Sequence, residues 1–184
     1  MKNKTQLSKF NNSWYKPGRG FIVRTLWYFV NACFINSSHP FSFLRIFLLR
    51  LYGAEIGKGV VIKPSVNIKY PWRLKIGNHV WIGENVWIDN LDDITVGDNV
   101  CISQGALMLS GNHNYKKSGF DLMIAPIILE EGVWIGAKSI VTGGTICKSH
   151  SVLNVGSVAP KLMEAYTVYQ GNPAVKIRNR IIEE

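Results

Sequence analysis

The sequence lacks acid where it is richest in base. No Asp or Glu occurs before Glu55, whereas Lys2, Lys4, Lys9, Lys16, Arg19, Arg24, Arg45 and Arg50 fall within the first fifty residues. The net charge of +9 therefore belongs to one end, because from residue 51 onward 13 basic residues meet 12 acidic ones. Charge so confined argues against a nucleic-acid-binding domain, and no nucleic-acid partner is expected. Cysteine is scarce as well. Cys33, Cys101 and Cys147 are an odd, irregularly spaced set, which excludes a disulfide scaffold and suits a reducing, cytoplasmic compartment. Long apolar runs are also missing: Phe21–Ile35 covers 15 residues and is broken by Arg24 and Asn31, short of the roughly 20 that span a bilayer. No small-residue cleavage site marks it as a secretion signal. With 47% hydrophobic and 18% charged residues, the chain of 184 is expected to be one globular domain with an appendage.

The appendage is residues 1–52, read as a basic, apolar helical arm. Its second apolar run, Phe41–Tyr52, mixes Arg45 and Arg50 with large apolar side chains. That composition suits a helix lying on anionic lipid, and equally a cap over the end of a repeat domain. Peripheral contact of residues 1–50 with a membrane surface is thus one expectation, and capping is the other.

A strong internal period follows. Aliphatic residues recur every six positions at Ile56, Ile62 and Ile68, then at Ile76, Ile82 and Ile88, then at Val96, Ile102 and Met108, with a step of eight between triplets. A second block, Leu129, Ile135, Val141, Cys147, Leu153 and Ala159, keeps a strict six. Three short strands per coil close a triangle, and stacked coils pair as parallel strands. An all-β solenoid of about five triangular coils is expected over residues 53–165, with residues 166–184 as a C-terminal tail. Gly57, Gly77, Gly83, Gly97 and Gly136, each one residue past an aliphatic position, are expected at corners that need permissive backbone.

Where the repeat breaks, chemistry is expected. Residues 109–127 form a polar loop leaving the coil corner, with His113 at its root. An imidazole, with an ordinary pKa of about 6.5, suits proton removal from a hydroxyl at neutral pH. No Gly-x-Ser-x-Gly elbow is present, and Cys147 falls on an inward position, so no enzyme nucleophile is evident. Three converging histidines for a zinc hydratase are not evident either, because the fifth residue after His113 is Ser118; no metal is expected. Alternation along the strands turns Trp81, Trp87 and Trp134 outward, and Val61, Trp81, Cys101 and Trp134 form an outward column expected to be a subunit interface.

Ile76-Gly-Asn-His-Val-Trp-Ile82-Gly-Glu-Asn-Val-Trp-Ile88 and Val133-Trp-Ile-Gly-Ala137 resemble the hexapeptide-repeat acyltransferases. That resemblance implies a left-handed parallel β-helix. Ser110-Gly-Asn-His113, the loop and Pro126 are similar to the galactoside and maltose O-acetyltransferases, which implies His113 as general base and direct transfer from acetyl-CoA. The same resemblance implies donor contacts at Asn85, Ala137, Val155, Lys161 and Arg178, with Pro160 standing where the family usually has threonine. It also implies a homotrimer with active sites between subunits. Tyr70-Pro-Trp-Arg-Leu, Asp98-Asn-Val-Cys-Ile-Ser-Gln-Gly and Phe120-Asp-Leu-Met resemble the colanic-acid-type enzymes. These imply O-acetylation of a sugar hydroxyl in bacterial surface polysaccharide synthesis, with a saccharide acceptor, free or lipid-linked, as the expected partner. A non-catalytic trimeric scaffold and an N-acetyltransferase for amino sugars are the alternatives.

Overall fold

The computed structural model describes residues 3–183. Each hexad but the last contributes one short strand, Ala159 following only a bridge of Val158 to Ile140, and the strands stack into three parallel sheets around an aliphatic interior. The first sheet joins Glu55–Ile56, Leu74–Ile76, Ile94–Val96, Ile127–Leu129, Ile146–Cys147 and Leu162–Met163. Six strands make about six turns, one more than the hexads count. The sixth escapes the period because Met163 pairs with Cys147 from 16 residues away, off the six-residue phase. The second sheet continues past residue 165 through Thr167–Gly171, on which Ala174–Asn179 folds back antiparallel.

Register pairs like with like. Ile62, Ile82, Ile102, Ile135 and Leu153 stack in line on one side, and Ile68, Ile88, Met108 and Val141 on another. All nine are at most 1% exposed, so the interior is a dry aliphatic column whose burial drives coil stacking.

The corner glycines serve a different purpose from the expected one. Gly57, Gly77, Gly83, Gly97 and Gly136 do not adopt positive φ; the left-handed corner positions go instead to residues such as His79, Asn85, Asn99 and Lys138. The glycines are required because the next coil lies on top of them. A Cβ on Gly57 would sit 2.6 Å from the Gly77 carbonyl carbon, and one on Gly136 2.6 Å from the Val155 nitrogen.

Only part of the arm is helical. Helices α1 (Phe21–Val30) and α2 (Ser42–Leu51) flank a wide turn at Asn31–Ile35 and close the first coil. Trp27, Ile35 and Leu49 are buried against it. The cap also satisfies the strand edge that the first coil would leave bare. Trp27 Nε1 donates to Ile68 O at 3.0 Å, Ile62 N donates to Ser42 Oγ at 2.9 Å, and Ser65 N donates to Ser37 O at 2.8 Å.

Arg45 corrects the amphipathic reading of the second run. Its side chain is 1% exposed and points inward, donating to the carbonyls of Ile35, Ser37 and His39. Three carbonyls left by the turn need a donor, and guanidinium supplies several in one plane.

Residues 6–17 form neither helix cap nor tail but a strap along one edge of the prism. Arg73 donates to Lys16 O at 2.8 Å, Tyr15 Oη to Leu91 O at 2.7 Å, and Gln6 N to Ser118 O at 2.8 Å.

Cys147 lies in the interior, where burial, with the Glu130 charge secondary, pushes its thiol up to about 12. The thiolate is the species that attacks a disulfide reagent, and the raised pKa and burial suppress it in the folded protein. Cys33 is exposed. With a charged aromatic disulfide at pH 8, Cys33 is expected to react at once and Cys147 only after denaturant is added; rapid native labelling of Cys147 would contradict its burial.

Candidate active site at the corner hairpin

The long loop is a β-hairpin. Gly111–His113 pairs antiparallel with Leu122–Ile124, setting His113 opposite Leu122. Each residue of Ser110-Gly-Asn-His113 has a distinct local task. Ser110 is buried, and its Oγ accepts from Asp92 N at 2.8 Å and donates to Asp89 O at 3.1 Å, fixing the root. Gly111 passes so close to Leu91 that a Cβ would lie 2.4 Å from its Cδ1. Asn112 Oδ1 accepts from His113 N at 2.7 Å.

The His113 ring is held on two sides. Phe120 stacks on it at 4.4 Å with an 11° interplanar angle, and Phe10 of the strap approaches at 5.7 Å. Its Nδ1 lies 2.9 Å from the Phe120 carbonyl oxygen. A carbonyl only accepts, so Nδ1 carries the hydrogen and Nε2 carries the lone pair. Nε2 makes no hydrogen bond among the described residues, and the ring is half-buried. Phe120 has a φ of 53°, in the left-handed region. The strained residue is therefore the one whose carbonyl orients the imidazole.

The other predicted residues fall into separate groups. Asn85 occupies a left-handed corner between the second and third sheets, exposed, with φ 58°. Ala137 and Val155 share that edge, since Gly156 N bonds Ala137 O at 2.9 Å and Val155 N underlies Gly136. Lys161 sits at the next edge, the one from which the hairpin leaves. Its Nζ donates to Thr142 Oγ1 at 3.0 Å and to Gly143 O, while Gly143 N bonds Leu109 O at the hairpin root. Arg178 is exposed on the folded-back strand opposite Val168, in a hollow with Trp134 and Asn154 on the second sheet. Within one chain His113 and Lys161 thus share one edge, and Asn85, Ala137 and Val155 share another. One strand of the third sheet separates the edges, roughly 15 Å.

The sequence reading missed Phe10 and the Phe120 carbonyl. Phe10 lies 103 residues before His113, with no period linking them. The Phe120 carbonyl had no signal either, because the return strand sets Leu122, not Phe120, opposite His113.

No model of a protein family matches the sequence. Individual proteins do. The chain is 36% identical over 170 residues to a protein of Escherichia coli K12 named "Putative colanic acid biosynthesis acetyltransferase WcaF", covering 92% of this chain and 93% of that protein. The chain belongs to the hexapeptide-repeat acetyltransferases. Galactoside O-acetyltransferase of the same bacterium is 29% identical over 148 residues, 78% of this chain and 72% of that one. Among solved structures, the hexapeptide-repeat acetyltransferase VCA0836 of Vibrio cholerae, crystallised with acetyl coenzyme A, superposes with a TM-score of 0.79 at 23% identity, covering 88% of each chain. The N-acyltransferase AntD of Bacillus cereus has the same fold at a TM-score of 0.59 and 18% identity, covering 74% of this chain and 89% of that one. Hexapeptide-repeat membership accounts for the coil geometry, and the hairpin is the excursion that this acetyltransferase adds to it.

Proposed function

We propose that the protein transfers an acetyl group from acetyl-CoA to a sugar hydroxyl in bacterial surface polysaccharide synthesis. The observation that carries the chemistry is the His113 tautomer, with Nδ1–H committed to Phe120 O and Nε2 without a hydrogen bond among the described residues. In this reading Nε2 removes the acceptor hydroxyl proton as the oxygen attacks the thioester carbonyl. The C–O ester bond forms, the C–S bond breaks, and the CoA thiolate leaves and takes the proton back from the imidazolium. Asn85 or a main-chain N–H stabilises the oxyanion between these steps. The sugar and polysaccharide assignment rests on the similarity to WcaF and to galactoside O-acetyltransferase.

The Asn85 edge suits the donor. Ala137 N and Val155 N make no hydrogen bond among the described residues. Stacked one coil apart, such N–H groups match the amide carbonyls of pantetheine. Lys161 supplies a point charge for a CoA phosphate, and Arg178 a second cation for the nucleotide end.

A separation of roughly 15 Å between the two edges leaves His113 and Asn85 on different sides of one prism. A second copy is needed to bring them together, which supports a homotrimer with sites between subunits. Its contact surface is the outward column Val61, Trp81, Cys101 and Trp134, in which Trp81 is 58% exposed.

The test is release of free CoA from acetyl-CoA across a panel of bacterial oligosaccharides. Acceptor-dependent release is the expected result; binding of CoA with no transfer to any sugar would favour a scaffold. Lys161→Ala is expected to raise the KM for acetyl-CoA about tenfold with kcat little changed, the loss of one charge-assisted contact. An unchanged KM would remove Lys161 from the donor site.

A further inference from the structure

We propose that the outer faces of α1 and α2 form a docking surface for an anionic lipid bilayer, on which the enzyme lies without crossing it. This goes beyond the acetyl-transfer reading and does not depend on it.

The pattern of the two helices is inverted relative to an ordinary surface helix. On α1 the stripe away from the solenoid carries Ile22, Leu26 and Phe29, which are 73%, 53% and 59% exposed. On α2 it carries Phe43, Phe47 and Leu51, at 70%, 61% and 66%. These positions follow the i, i+4, i+7 and i, i+4, i+8 spacings of a single helical face. Meanwhile the inward face of α2 takes the charged Arg45. A monomer in water gains nothing from burying arginine and exposing three phenylalanines, so the outer face is built for contact.

Charge decides the partner. Residues 3–54 contain no acid, and exposed Arg50 on α2 and exposed Arg19 beside Gly53, just past its end, adjoin the helices, while Lys4 and Lys9 lie farther off on the strap. Apolar side chains flanked by uncompensated cations match a bilayer interface carrying anionic headgroups. A second copy would bring an equally basic arm against this one. Arg45, which the sequence placed among the lipid-facing cations, is spent on three carbonyls and takes no part. Neither helix is long and apolar enough to cross a membrane, so the helices lie in the interface.

The experiment is co-sedimentation of the full chain with vesicles of phosphatidylcholine alone and of phosphatidylcholine with phosphatidylglycerol. Binding to the anionic vesicles, weakened by salt, is expected. Phe29→Ser combined with Phe47→Ser should weaken it at least about tenfold, with an unchanged circular dichroism spectrum. Acetyl transfer to a soluble acceptor should be untouched by this variant, and vesicle binding untouched by His113→Ala, so the two readings fail separately. Absence of binding to anionic vesicles would overturn the proposal, as would equal binding by the double variant. A fall in the molar mass of the double variant at sedimentation equilibrium would overturn it in favour of a second copy covering the face.

Discussion

Replacing His113 by alanine is expected to lower kcat for acetyl transfer by about 10²- to 10⁴-fold, the range of a positioned general base. The KM for acetyl-CoA should change little, because the predicted donor contacts lie along other residues. The fold should survive, since the hairpin stands outside the aliphatic column and Ser110, not His113, secures its root. His113→Asn sharpens the test. Its amide can donate to Phe120 O as Nδ1 does now, but it has no basic nitrogen in place of Nε2. The asparagine variant should therefore be as inactive as alanine while keeping the hairpin ordered. Transfer within a few fold of wild type in either variant would remove His113 from proton transfer.

The second large effect is on stability. Gly97→Ala is expected to cost about 3 kcal/mol, at the upper end of overpacking penalties, and to lower Tm by roughly 6–12 °C for a chain of this size. An added Cβ would lie 2.8 Å from Glu131 N and 2.9 Å from the Glu130 carbonyl carbon, both backbone atoms of the next coil. Neither can move without breaking the Gly97 N to Leu129 O bond of 2.7 Å that holds the coils together. Gly105→Asn is the control. Gly105 has φ 66°, a conformation asparagine already adopts at Asn85 and Asn99, and its nearest neighbour would be Lys138 Cγ at 3.5 Å. That variant should melt within a few degrees of wild type. If Gly97→Ala melts there too, coil contact is not what these glycines serve.

The solenoid was legible because each coil solves the same packing problem. Ile62, Ile82 and Ile102 must each fill an identical slot, so the sequence repeats the solution every 20 residues. The outward column was legible for the same reason, through strand alternation. The sixth turn was not, because Met163 reaches its slot by a segment of different length. The corner glycines show a second limit. Glycine at a turn is consistent with positive φ or with close approach, and only the stacked neighbour distinguishes them. At the candidate site, His113 stood out because the period fails there. The inward turn of Arg45 was invisible, since a sequence does not reveal that three carbonyls are left without donors by the preceding turn.

The strap bears on the order in which the surroundings of His113 are assembled. Most strand pairings in the solenoid join residues 16–20 apart, as Val61 with Trp81 and Cys147 with Met163 do, and the three that bridge the hairpin join residues 33 apart, as Cys101 with Trp134 does. Short loops close early, so coils can form one upon another as the chain lengthens. The bond from Gln6 N to Ser118 O and the approach of Phe10 to His113 instead join the start of the chain to its middle. They cannot form until the third coil and its hairpin exist. Packing of Phe10 on the imidazole thus waits for the hairpin, and a chain with a finished solenoid but an undocked N-terminus would hold His113 from the Phe120 side alone.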